Sequence, residues 1–277
     1  MIKRYLFLLG AAALSTGAVN AQKISLTKGQ KLETVSNIKM VMSIEMMGQS
    51  IDNNTETSNT ALIELKEINP SDYLFSNTVT KMLLHTSAMG QEVSFDSDKK
   101  EDMDGQMGES MKNVINKPQD IVVDKQGKIL EKKGDTASGG MNDMMNMSGS
   151  LMKGQPFPAL VTLPNHPVKT GDTWTDSTGT PSTFKAVTTY TVKDINKDEV
   201  VLDFTSIVAK KGTIEQQQMQ IDMDMTGTVK GTSSYEAATG LVKKSESTSN
   251  IKGTMGIMGQ SAPMTMTVTA STVARKL

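Results

Sequence analysis

Residues 218–227, "QMQIDMDMTG", place Met219, Ile221, Met223 and Met225 at every second position, with Gln220, Asp222, Asp224 and Thr226 between them. A period of two puts one set on each side of an extended chain, so the stretch reads as a half-buried β-strand with a soft apolar face. The same alternation recurs in Met40, Met42, Ile44 and Met46, in Val200, Leu202, Phe204 and Val208, and in Met264, Met266 and Val268. Turn chemistry falls at Asp52-Asn53-Asn54, Asn69-Pro70-Ser71-Asp72, Gln126-Gly127, Asn196-Lys197-Asp198 and Thr239-Gly240. The expected fold is mainly β, built of curved antiparallel sheets with one or two short helices.

The chain also echoes itself. "LTKGQKL" (26–32) and "VKTGDTW" (168–174) each open a half on a Gly turn, "KEIN" (66–69) and "KDIN" (193–196) each end a strand, and "DKQGKILEKK" and "EAATGLVKK" each read as a hairpin. This divides the chain into an N-terminal β repeat at 22–134 and a C-terminal β repeat at 168–277. The crossover at 135–167 is rich in Met, Gly and Pro. Met107, Met111, Val114 and Ile115 share a helical face before Pro118, which predicts an amphipathic helix over Gly105–Lys117.

Residues 1–21 read as a secretory leader: Lys3 and Arg4, an apolar run from Tyr5 to Val19, and small residues Val19 and Ala21 before a cut at Gln22. The sequence contains no Cys, which rules out both disulfides and a lipidated cysteine. The expected location is periplasmic or extracellular, with no transmembrane segment after cleavage. Losing Lys3 and Arg4 from 29 basic residues against 30 acidic leaves a net charge of −3, which does not favour nucleic acid as a partner.

Chemistry-bearing motifs are weak. "FDSDKKEDMDG" (95–105) departs from a calcium loop at Lys100 and Glu101 and reads as a solvated turn. "SLMK" (150–153) and "KTG" (169–171) echo a penicillin-interacting enzyme but stand too close together to fold into one. With two His and no nucleophile motif, a non-enzymatic role is expected and no cofactor is called for. Trp174 is expected to pack on the sheet at the start of the second half.

"LTKGQKL", "VSFDSDKK", "VDKQGKIL" and "LPNHPVKTGDTW" resemble a family of uncharacterised secreted or periplasmic bacterial proteins, known as a domain of unknown function. The architecture is distantly similar to the half-barrels of lipoprotein carriers. The residues themselves point to a surface that repacks around varied shapes, because Met is flexible and polarisable. An apolar ligand, a lipid or acyl chain, would then be held by Met40, Met42, Met219, Met223, Met264 and Met266. The alternatives are a structural or interaction protein of the cell envelope, with the Met faces packing sheet on sheet, and a copper handler in which three thioethers converge.

Overall fold

The computed structural model describes residues 24–46, 48–134, 151, 153–164, 166–179, 184–216, 219–257 and 260–277; the leader and most of the Met- and Gly-rich crossover lie outside them. The elements are β1 Lys31–Met46, β2 Gln49–Ile68, β3 Asp72–Ala88, β4 Gln91–Asp96, α1 Lys100–Asp104, α2 Gln106–Met111, β5 Pro118–Asp124 and β6 Ile129–Lys133. There follow β7 Thr173–Thr178, β8 Lys185–Ile195, β9 Glu199–Gln216, β10 Met219–Glu236, β11 Val242–Ile257 and β12 Gln260–Lys276. All twelve strands join one curved antiparallel sheet in the order β6-β5-β3-β2-β1-β12-β11-β10-β9-β8-β7, with β4 also paired to β3.

Both halves run in the same direction along this sheet, and their turns superimpose bond for bond. Gly29 N–H donates to Leu65 and Leu65 N–H to Gln30; Gly171 N–H donates to Val192 and Val192 N–H to Asp172. Gly29 and Gly171 stand at φ +82° and +88°, a conformation glycine adopts without Cβ strain. A register shift passes over Lys66 in one half and Lys193 in the other, inside the two Lys-acid-Ile-Asn motifs. The hairpin bonds Asp124 N–H to Lys128 O and Glu236 N–H to Leu241 O complete the series. β10 spans all of β9, whereas β4 and β5 divide β3 between them. The helical insertion between β4 and β5 is therefore what distinguishes the first half.

The core lies on the inner face and is held by the described part of the crossover. Phe157, Ala159, Leu160, Val161 and Leu163 are buried in one cluster with Phe75, Ile121 and Val123 of the first half and Val200, Leu202 and Tyr235 of the second. Phe157 N–H donates to Gly127 O, and four residues later Val161 N–H donates to Gly240 O, so one strap is pinned to both hairpins. Lys128 pairs with Asp176 at 2.5 Å, joining the β5–β6 turn to β7. Since these belong to opposite ends of the strand order, the sheet is rolled at this end around the strap.

Several local expectations are corrected. Asp52–Asn54 sits inside β2, because Gly48 at φ +78° supplies the β1–β2 turn. The amphipathic helix is α2 alone: it ends at Met111, and Ile115 instead bridges to Val79 of β3. The acidic run contains helix α1; Asp96 N–H donates to the Asp102 carboxylate at 2.7 Å, which fastens the β4–α1 corner. Trp174 stacks on Tyr190 with ring centroids 5.2 Å apart and packs against the core.

Burial pushes the phenols of Tyr73, Tyr190 and Tyr235 above their ordinary value. The folded chain therefore holds these protons more tightly than the unfolded chain, so stability is intact below about pH 10 and falls as pH rises through the folded values. Tyr235 is 1% exposed and its hydroxyl has no partner. Tyr235→Phe is expected to flatten this alkaline loss and to add about 1 kcal/mol at neutral pH; urea midpoints at pH 8 and pH 11 check both effects.

Candidate functional site

Along the inner face of β1, side chains change character in order: Leu32 in the strap-filled core, then Thr34 and Ser36, then Ile38, then Met40, Met42 and Ile44. The middle of this gradient is a cleft. It follows one cross-strand row, in which Phe95, Leu84, Thr57, Ile38, Ala270, Ser247 and Gly231 are directly paired across seven strands. Bulky groups close both ends of the row, Phe95 and Leu84 at β4–β3 and the Phe204 ring lying over Gly231 at β10, while Thr57, Ala270 and Ser247 around Ile38 keep the middle low. The curved sheet is left underfilled there, and the cleft has a volume of about 890 Å³.

The edges of the cleft are polar. On the opposite face of the sheet, behind the floor, Lys39 and Glu56 pair at 2.7 Å, and the Lys39 hydrogen bond and charge hold the Glu56 carboxyl below the usual carboxylate range. His85 and Ser94 continue that outer row, with Nδ1 2.9 Å from Oγ, whereas Lys99 and Asp102 bring the start of α1 to the cleft itself. Beyond it, α2 and β3 enclose Met82, Met111, Ile115 and Phe95, with Met103 and Met107 against them. Charges of both signs from Lys99 and Asp102 at one end of an underfilled floor suit an amphiphile better than a wholly apolar molecule.

The six methionines expected to line an apolar cavity are placed differently. Met223 and Met264 are buried in a packed cluster that Met42 adjoins. Met40 stands one row from Ile38, opposite Val268, and Met266 one row further, opposite Met42. Met219 opens β10, and its side chain lies outside the described residues. None of the five whose side chains are described lines the 890 Å³ cleft, and Met42, Met223 and Met264 pack instead in one cluster. The cleft residues Ile38, Thr57, Leu84, Phe95, Ser247 and Ala270 carried no signal within any single strand; only the register aligns them.

Residues 70–146 and 141–242 each match the model of a family of unknown function (DUF6263), together spanning more than half of the chain. The chain belongs to this family. No curated protein matches it. Among solved structures it is similar to lipovitellin, in a structure reported as lipid–protein interactions in lipovitellin, with a TM-score of 0.52 and 12% identity over 91% of this chain and 25% of that one. The DUF6263 chain thus spans a quarter of the length of lipovitellin, and the likeness is one of fold. It also aligns to an outer membrane channel from Pseudomonas putida F1, with TM-score 0.25, 7% identity, and coverage of 91% and 97%. A further alignment is to Pseudomonas aeruginosa OccK7, with TM-score 0.27, 6% identity, and coverage of 90% and 100%. Those two scores are too low to bear on fold. Among the described residues no helix is long and apolar enough to cross a membrane.

Proposed function

We propose that this protein is a non-catalytic binder of an amphiphilic lipid or acyl chain, held in the inner-face cleft, and that it works outside the inner membrane. The observation that carries the reading is the row from Phe95 to Gly231, in which Thr57, Ala270 and Ser247 flank Ile38 beside a cleft of about 890 Å³ in a curved sheet. That volume falls in the range of small-molecule sites, roughly 300–1,000 Å³. Three further features support it: methionine-rich surfaces on two sides of the cleft, the fold likeness to a protein reported for its lipid–protein interactions, and the leader-like residues 1–21.

Native mass spectrometry of the chain from Gln22 to Leu277, purified gently from a bacterial periplasm, tests the reading together with displacement of a fluorescent fatty acid. An adduct that extracts into organic solvent is expected. Ala270→Phe, which fills the centre of the floor, is expected to weaken the fatty-acid probe about tenfold with an unchanged melting temperature. A bare chain, probe binding indifferent to this change, and a co-purifying envelope protein would together replace the reading with that of an envelope interaction protein.

A further inference from the structure

Methionine is segregated in this molecule. The large strap-filled cluster contains no methionine among its described residues, although it draws on both halves of the chain. The cluster toward the β1–β2 and β11–β12 turns consists of Ile221, Met223, Met225 and Met264 with Met42, Ile44, Ile251 and Met255 against them, so that five of its eight members carry a thioether. A sequence that fills its main core with Leu, Ile, Val, Phe and Tyr has not used sulfur here for want of other apolar groups.

Four of these thioethers lie around Gly253. Gly253 of β11 is paired on one side with Met225 of β10 and on the other with Met264 of β12. Two residues along β11, on the same face, Met255 is paired with Met223. Directly paired residues have Cβ atoms about 5 Å apart, which brings the Met223 and Met255 side chains together. Met225 and Met264 stand two strands apart, but nothing projects between them, because Gly253 has no side chain. The strands also crowd toward this point: a Cβ added at Gly253 would lie 2.1 Å from Asp224 O and 2.7 Å from Met225 Cα. Met223, Met225 and Met264 are nearly buried, at 3%, 6% and 3% exposure, while Met255 is half-buried and gives access from the rim.

We propose that Met223, Met225, Met255 and Met264 form a binding site for a soft monovalent d10 cation, Cu(I). The thioether is a neutral, polarisable sulfur donor that suits Cu(I), whereas hard cations require oxygen. Because the ligands bear no proton to lose, binding is insensitive to pH in the neutral range, unlike a thiolate or imidazole site. Asp222 and Asp224 alternate with these methionines on the opposite face of β10, where Asp224 is paired with Lys211 at 2.8 Å and Asp222 accepts from the Thr213 hydroxyl, so the site itself is built of neutral sulfur. The site is separate from the cleft, as none of the four lines it.

The test is titration of the purified full chain with Cu(I) under anaerobic conditions against a chromogenic Cu(I) chelator, repeated with Ag(I). One equivalent bound per chain, through sulfur by X-ray absorption, is expected. Met223→Leu/Met255→Leu/Met264→Leu keeps the apolar packing but removes three donors, and is expected to lower Cu(I) affinity more than about tenfold while leaving the fatty-acid probe bound as before. Met255→Leu alone, at the half-buried rim, gives the same readout with a smaller loss if the triple variant does not fold. Equal Cu(I) affinity in wild type and folded variant overturns the proposal, as does no uptake by the wild-type chain. Loss of probe binding in Ala270→Phe with Cu(I) uptake intact bears on the cleft alone.

Discussion

Phe157→Ala is expected to lower the unfolding free energy by about 4 kcal/mol, measured as a shift in the urea midpoint at constant slope. Phe157 is 1% exposed and its ring centroid lies 4.8 Å from that of Phe75, so truncation opens a cavity where the strap meets the first half. The loss is not confined to one contact. The strap from Phe157 to Val161 is pinned to the Gly127 and Gly240 hairpins within five residues, and loosening its first anchor loosens both halves together. Hydrogen exchange at the Val161 amide is therefore expected to rise along with that at Phe157. A loss below about 1 kcal/mol would show that the strap rests on the core without holding it, since a cavity left open in a rigid core costs several times as much.

Gly253→Val comes second, with an expected loss of about 3 kcal/mol. The added Cβ would sit 2.1 Å from the Asp224 carbonyl oxygen, which is backbone and has no rotamer by which to move away. Relief requires β10 and β11 to separate between Met225 and Gly253, breaking the register that packs Met225 against Met264. Thermal melts of Gly253→Ala and Gly253→Val check the cause, because the first added atom makes the clash and both variants should be destabilised. A neutral alanine variant would mean that the strands relax there at little cost.

The strands were legible in the sequence because their faces differ: Met223 and Met264 are buried while Asp222 and Thr265 are exposed. The duplication was legible where backbone bonds demand particular residues, at Gly29 and Gly171 and at the Asn69 and Asn196 turns. Helix α1 was hidden because Lys100-Glu101-Asp102-Met103-Asp104 has a single apolar residue and so no periodicity to detect. The cleft was hidden for a different reason. Its floor is defined by which residues meet across seven strands, and Thr57, Ser247 and Ala270 look ordinary until β12 is known to lie between β1 and β11. Nothing local to β12 announces that placement, since its apolar alternation would suit an edge or a centre equally.

The position of β12 also governs how the chain can assemble. Leu32 is paired with Lys276, so the strand that begins the sheet waits for the strand that ends the sequence. Each half can form its own hairpins early, from neighbours close along the chain, but the join between them closes a loop running from Leu32 to Lys276. A ribosome or translocation pore delivering the N-terminus first releases two incomplete fragments with unpaired edges at β1 and β11. Folding to the finished sheet is then all but simultaneous with release of the last strand, and a chain lacking Gln260–Lys276 would retain both fragments while losing the seam that makes them one molecule.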